Sequence, residues 1–316
     1  MLFNPKSVKT ENIIIGHPSY PQKLGIPYMG SKRGIALGIV DFLHRRHPNA
    51  KYFYDLFGGG GSVTFTALQF GYKVFYNEYN EGVYNLMNFV THNKLPENWW
   101  DWVSREKFFA HKDLKDPYSQ MISVIWSFGN SFDSYMFGTD KEELKMLGHR
   151  VVVNRDADAL EKLNRLLGVK IKMPCGDSIN DRRINFRHIL ETTEGLAEFK
   201  KIDLQQLLQL RRLERIELLA FTKPFNMTNL SYDQVKIETP FDETIVYCDP
   251  PYRGTAEYTG EFDTDKLDKW FADLPCTAYM SEYTAPFKRV FKLHKRSLLQ
   301  GGCGKLKEEG LFWNGK

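Results

Sequence analysis

Apolar residues first fall on one helical face at Ile35, Leu37, Ile39, Val40 and Leu43. The segment Pro27 to Leu43 is therefore predicted to open with a turn and continue as a helix. The period then changes. Lys51 to Phe57 reads as a strand that runs into Gly58-Gly59-Gly60-Gly61, and Ser62 to Phe70 reads as a helix with Ser62 near its N-terminus. Lys73 to Asn77 is a second strand, with Glu78 at its carboxyl end. Strand, glycine turn, helix, strand and acid together make one βαβ unit.

Amphipathic helical sequence dominates from about Glu81 to Ala220. Inside it, turn residues interleave with aromatics from Ser127 to Gly138, which predicts a loop or hairpin. Strand character returns at Pro224 to Ile237, at Thr244 to Cys248 and at Cys276 to Ser281. Sheet-forming sequence thus occupies both ends of the chain, with a helical block between. The expected division is one α/β domain built from residues 1–125 and 221–316, interrupted by an inserted helical domain at residues 126–220. There is no internal repeat and no low-complexity tract.

At 316 residues the chain can bury one large core, or one core plus an inserted subdomain. A net charge of +4 permits an anionic partner without demanding one. No stretch approaches the roughly 20 apolar residues of a membrane span, and the first residues, with Lys6, Lys9 and Glu11, lack the layout of a secretory signal. Cys175, Cys248, Cys276 and Cys303 form no CxxC pair and have no histidine at zinc spacing. Reduced thiols, a cytoplasmic location and no metal site are the expectation.

Two motifs carry chemistry. Thr244-Ile245-Val246-Tyr247-Cys248 has the composition of a strand covered on both faces. Asp249-Pro250-Pro251-Tyr252 stops it, because proline donates nothing to a ladder and fixes its own φ. An acid and a ring are then held at a strand's carboxyl end, where open α/β sheets bind ligands. That suits a flat, amine-bearing group, although a capping Asp before a Pro-Pro turn reads equally well. The second motif is Asp55-Leu56-Phe57-Gly58-Gly59-Gly60-Gly61-Ser62-Val63. Its glycines permit positive φ, the following helix offers free N–H groups, and Glu78 is placed to accept from ribose hydroxyls. A third glycine at dinucleotide spacing is missing, which counts against a nicotinamide dehydrogenase. Asp55 also disfavours a diphosphate and favours a positively charged or amine-bearing ligand.

In this order the motifs resemble the α-class, Dam-like DNA adenine-N6 methyltransferases of the D12 class, most closely the phage and prophage kind. The resemblance rests on Pro27-Tyr28-Met29-Gly30-Ser31-Lys32, on Asp55-x-Phe57-x-Gly59-x-Gly61, on Glu78 and on Asp249-Pro250-Pro251-Tyr252. Ser281-Glu282-Tyr283, Gly254-Thr255 and Tyr258 also fit. It implies a Rossmann-like S-adenosylmethionine-dependent methyltransferase fold, doubly wound and mostly parallel, with an inserted helical target-recognition domain. It implies S-adenosyl-L-methionine as methyl donor, S-adenosyl-L-homocysteine as product and double-stranded DNA with a specific adenine as substrate. A cognate restriction endonuclease is a further expected partner.

Residue by residue, the resemblance puts Tyr28 and Lys32 in the cofactor pocket, with Lys32 toward the cofactor carboxylate. On its own, Lys32-Arg33 also reads as a solvated helix start. Asp55 would face the methionine amino group, Phe57, Gly59 and Gly61 would shape the turn, and Glu78 would hold the ribose. The adenine-contacting element corresponds to Asn229-Leu230-Ser231-Tyr232-Asp233, where Ser231 replaces the family's acid. That contact falls to Ser231, Tyr232 or Asp233. Asp249, also expected near the cofactor, and Pro250 would accept the adenine amine's N–H bonds, and Tyr252 would stack on the flipped base.

Residues 151–220 hold thirteen Lys and Arg against eleven Asp and Glu, so this block is no basic sleeve. Arg182, Arg183 and Arg187 cluster near Phe186, and Asn130 and Tyr135 lie in the aromatic loop. All five are candidates for DNA contact, although a solvated helix face explains the arginines as well. From Pro286 to Lys316, eight Lys and Arg stand against two Glu, which suits either a phosphate-tracking or a solubilising tail. Pro174-Cys175 superficially offers a cytosine-C5 nucleophile but reads as a loop cysteine. Cytosine-N4 methylation and a catalytically silent DNA-binding protein are the remaining rivals. By the resemblance alone, Asp rather than Ser at position 249 favours adenine over the first, and the retained site acid and glycines weigh against the second.

Overall fold

The computed structural model describes residues 22–28, 30–196, 207–253, 262–296 and 306–316. Met29, Gly254, Thr255, Tyr258 and Cys303 lie outside the described residues. Two units emerge, one from residues 1–92 and 219–316, the other from Asn93–Leu218. The insert therefore begins some thirty residues earlier than the helical pattern suggested. The boundary is illegible in sequence because both sides of it are amphipathic helices.

In chain order the elements are α1 (Ala36–Arg46), β1 (Tyr52–Asp55), α2 (Ser62–Gln69), β2 (Lys73–Asn77) and α3 (Glu81–His92), which belong to the first unit. The second unit holds α4 (Arg105–His111), α5 (Pro117–Ile125), α6 (Thr139–Asn154), α7 (Ala157–Leu167), α8 (Ile179–Thr192) and α9 (Leu208–Glu217). The chain returns to the first unit with β3 (Asn226–Thr228), β4 (Thr244–Cys248), α10 (Thr264–Asp273), β5 (Thr277–Glu282), β6 (Lys288–Arg296) and β7 (Leu306–Trp313). Ser and Asp caps start several of these helices. Asp116 accepts from Ser119 N–H, Asp156 from Ala159 N–H and Asp263 from Lys266 N–H.

The strands form one sheet in the order β3-β2-β1-β4-β5-β7-β6. The pairs among β3, β2, β1, β4 and β5 are parallel, and β7 pairs antiparallel with both β5 and β6. Phe53 stands opposite Ile245 and Asp55 opposite Tyr247, so β1 and β4 run side by side to the same edge. Tyr54, Leu56, Val246, Cys248 and Met280 point to one face and pack with Leu267 and Phe271 of α10. On the other face Phe53 stacks on Tyr247 and α1 supplies Phe42, which meets Tyr279 edge-on and stacks on Phe291. Burial on both faces is what a central parallel strand requires, and every residue of β4 is buried.

Two expectations change here. Of Pro224 to Ile237 only three residues are strand, and Tyr232–Gln234 is a 3₁₀ turn. Conversely, the basic tail contains β6 and β7. Its charges conceal strands because β6 is the sheet edge, where Lys and Arg are tolerated and discourage pairing with other chains. Arg289 and Lys292 of β6 both pair with Glu308 of β7. The loop from Ser127 to Gly138 is hairpin-like, with an isolated bridge between Ser127 and Tyr135.

Asn77 locks the β1, β2 and β3 ends together. Its amide donates to Leu56 C=O at 3.1 Å and Leu230 C=O at 2.9 Å, while its oxygen accepts from Thr228 Oγ1 and Leu230 N–H. It is 1% exposed, so removing the amide leaves several buried groups unpaired. Asn77→Ala is expected to cost about 3 kcal/mol of unfolding free energy in urea titrations. A change below about 0.5 kcal/mol, the scale of an ordinary surface substitution, would show that the amide is not holding these strand ends.

Candidate active site

The glycine turn is fixed through its backbone. Gly59 N–H donates to Glu78 Oε2 at 2.7 Å, and Gly59 C=O accepts from Tyr76 Oη at 2.7 Å. Gly60 C=O accepts from Ile26 N–H, and a Cβ on Gly60 would stand 2.4 Å from Ile26 C=O. Only glycine fits there. Gly61, at φ 73°, starts α2 in the left-handed region. The Tyr28 ring lies over Gly59, where an added Cβ would meet it at 3.2 Å. The first piece of the motif and the glycine turn are therefore one construction.

Asp55 and Glu78 flank this turn, and both are buried. Asp55 Oδ2 accepts from Thr64 N–H at 3.1 Å and Thr64 Oγ1 at 2.7 Å. Burial pushes the Asp55 carboxyl up to about 7 against the effect of the Thr64 bonds, and the neighbouring charges of Asp249 and Glu78 push the same way. Glu78 is raised to about 6 by burial, although Asn80 and Gly59 N–H groups support its charge. Each Glu78 oxygen thus already accepts one backbone bond. Glu78 shapes the turn as well as being free to accept more.

Asp249, at the end of β4, lies two residues beyond Tyr247 and so on the Asp55 face of the sheet. Lys32 Nζ reaches Asp249 Oδ1 at 2.7 Å and Glu309 Oε1 at 3.3 Å. Burial works against this ammonium, but Asp249 and Glu309 outweigh it and hold Lys32 above its usual range. With 5% exposure, the Lys32 ammonium sits where two anionic partners are already built in.

Tyr252 is positioned from three directions. Its hydroxyl donates to Glu309 Oε1 at 2.5 Å, Lys32 Nζ lies 4.6 Å from its ring centroid, and Tyr283 meets it edge-on at 4.7 Å. Burial, followed by the charges of Asp249 and Glu309, pushes its phenol far up, so it stays protonated. Pro250 is buried and Pro251 half-buried. Glu282 fastens the next residue, accepting from Arg253 N–H at 3.1 Å and from Tyr283 N–H at 2.7 Å. Ser281 Oγ bonds Tyr247 Oη at 2.8 Å.

Phe57 stacks on Tyr232, which also meets Trp270 edge-on. Tyr232 is thus largely a core ring. Ser231 Oγ donates to Asp233 Oδ1 at 2.5 Å, and Asp233 pairs with Lys266 at 2.6 Å. The three alternatives for the adenine contact form one local cluster. Glu309 and Glu282 escaped sequence reading. Glu309 sits in a charged run, and Glu282 hid between the two motif residues of Ser281-Glu282-Tyr283.

In the second unit the DNA candidates separate. Tyr135 is buried and donates to Val103 C=O at 2.7 Å, which removes it from the surface. Arg182 donates to Val152 C=O at 2.7 Å and Val153 C=O at 3.3 Å, closing the end of α6. Arg183 makes a two-bond pair with Glu214 and a third bond to Asn180. These two arginines therefore hold the helices together, a correction that follows from donors already taken by carbonyls and a carboxylate. Arg187 is 55% exposed and pairs along its own helix with Glu191. The side chain of Asn130 lies outside the described residues. Phe128 is 65% exposed in the same loop. Cys175 Sγ donates to Asn185 Oδ1. Among the described residues no group of three metal-binding side chains occurs, and no helix is long and apolar enough to cross a membrane.

The donor set fits S-adenosylmethionine. A buried carboxyl raised to about 7 is stabilised in its charged form by a bound ammonium, and Glu78 retains acceptor capacity for hydroxyls. The ionised form of Asp55 is the one that attracts an ammonium, so affinity is present above about 7 and falls as protons are added below it. Calorimetry across pH is expected to show cofactor affinity weakening by about tenfold per pH unit on the acid side. Asp55→Asn should be weak and flat with pH. A pH-independent wild-type affinity would remove Asp55 from the contact.

Comparison with known proteins agrees with this geometry. Residues 28–142 match the family model described as D12 class N6 adenine-specific DNA methyltransferase. The match contains Tyr28, Lys32, the glycine turn and Glu78. A search of curated proteins found no match. The seven-stranded, mostly parallel sheet is consistent with the S-adenosylmethionine-dependent methyltransferase fold of that family. Over these residues the chain is similar to the D12 class N6 adenine-specific DNA methyltransferases, enzymes that methylate adenine in DNA.

Proposed function

We propose that Asp249, Pro250 and Tyr252 form the adenine site and that Tyr28, Asp55, Phe57, Gly59, Gly61 and Glu78 form the cofactor side. The observation that carries this is the adjacency of β1 and β4, which brings Asp55 and Asp249 to one edge of the sheet. When bound, S-adenosylmethionine supplies an electrophilic sulfonium methyl, and that chemistry needs no metal. An adenine amine is a weak nucleophile because its lone pair is delocalised into the ring. Asp249 accepting an N–H bond pushes density back onto nitrogen, and the Pro250 carbonyl is the second acceptor. Tyr252, held by Glu309 and Tyr283, presents a ring for stacking, an interaction of about 1–3 kcal/mol for bases on aromatics. The base leaves the duplex to reach this depth, and transfer is direct and in line, with positioning supplying much of the rate.

The helical unit of Asn93–Leu218 is proposed to read the target sequence, with exposed Phe128 and Arg187 as the side chains available for it. The reading places the enzyme in the cytoplasm with its DNA, and a restriction endonuclease recognising the same site is its natural counterpart. Asp249→Ala is expected to lower turnover by about 10²–10³-fold, the scale of removing a group that stabilises developing charge. Cofactor binding should persist in the same variant. Wild-type turnover after this substitution would exclude the assigned role.

A further inference from the structure

Glu309 is 2% exposed, yet no step above uses its charge. It stands on β7, paired opposite Leu293 in the antiparallel part of the sheet, more than fifty residues from Asp249. A carboxylate is costly to bury unless its partners are arranged for it. Here one oxygen, Oε1, accepts from Tyr252 Oη and lies 3.3 Å from Lys32 Nζ. The same ammonium is closer to Asp249, at 2.7 Å. Lys32 is therefore shared by two acids, of which only Asp249 belongs to the Asp-Pro-Pro-Tyr motif.

This sharing bears on catalysis. With Lys32 bound to it, Asp249 is a poorer acceptor, because the ammonium already draws on its negative charge. An adenine amine entering the site competes with Lys32 for Asp249. Were Asp249 the only acid present, releasing Lys32 would strand a buried ammonium. Glu309 supplies the second acceptor, and its other bond keeps the Tyr252 ring beside the same spot.

We propose that Glu309 is a positioning residue that takes over Lys32 when Asp249 engages the target adenine, and that it holds Tyr252 for stacking at the same time. The inference rests on Asp249 being the amine acceptor. Glu309 acts through Lys32 and Tyr252 and does not touch the reacting atoms.

The test measures kcat, cofactor affinity and the pH profile of kcat for wild type, Glu309→Gln, Glu309→Asp and Asp249→Ala. Glu309→Gln should lower kcat between about 10- and 100-fold, the scale of misplacing a reacting group, with cofactor affinity near wild type. Removing a negative charge that shares an ammonium with Asp249 makes Asp249 easier to ionise. The acid limb of the profile should therefore move to lower pH in Glu309→Gln and stay in place in Glu309→Asp, whose kcat should lie between the two. A kcat within twofold of wild type, or a loss with an unmoved limb and no recovery in Glu309→Asp, would overturn the proposal. Should Glu309→Gln fail to fold, Glu309→Asp decides: a reduced kcat with cofactor affinity near wild type supports it, and wild-type kcat, or a loss of cofactor affinity as large as that of kcat, overturns it. Wild-type activity in Asp249→Ala would instead overturn the assignment of the acid.

Discussion

The parallel pairing of β1 with β4 is the constraint on which the site depends. These strands are separated by nearly two hundred residues and the whole helical insert, yet they run in register from Tyr52 opposite Thr244 to Asp55 opposite Tyr247. Ending together, they place the glycine turn and the Pro-Pro turn beside one another at the carboxyl edge of the sheet. The apolar runs that enforce this register are ordinary core residues. The acids beyond them are not, and their burial follows from where the strands stop.

That edge concentrates charge. Asp55, Glu78, Asp249 and Glu309 gather there with the ammonium of Lys32, and burial raises the first two to about 7 and about 6. Such an arrangement costs folding stability, since buried carboxylates lose hydration that their partners must replace. The same imbalance is chemically useful. It favours ligands that bring ammonium, hydroxyl and amine donors, and disfavours a diphosphate. The hydrogen bonds of Glu78 to Gly59 and of Tyr76 to the same residue couple this charge to the shape of the turn.

Much of this was legible in sequence, and the failures have physical causes. The βαβ unit and the β4 strand stood out because their apolar runs are short, aromatic or β-branched, and end at glycines, an acid or prolines. The basic tail concealed β6 because an edge strand carries charge for reasons unrelated to loops, and it concealed β7 because Lys307, Glu308 and Glu309 interrupt its apolar pattern. Tyr135, Arg182 and Arg183 looked like DNA contacts because composition cannot tell a donor aimed at phosphate from one closing a helix end. The partners of Lys32 were out of reach, since Glu309 comes from the last strand and meets it through the antiparallel pairing of β7.

The most direct measurement is the identity of the methylated base. Unmethylated duplex DNA is incubated with the enzyme and methyl-labelled S-adenosylmethionine, digested to nucleosides and separated. The account predicts label in deoxyadenosine methylated at N6. Label in deoxycytidine methylated at N4 or at C5, with none in adenine, would contradict it.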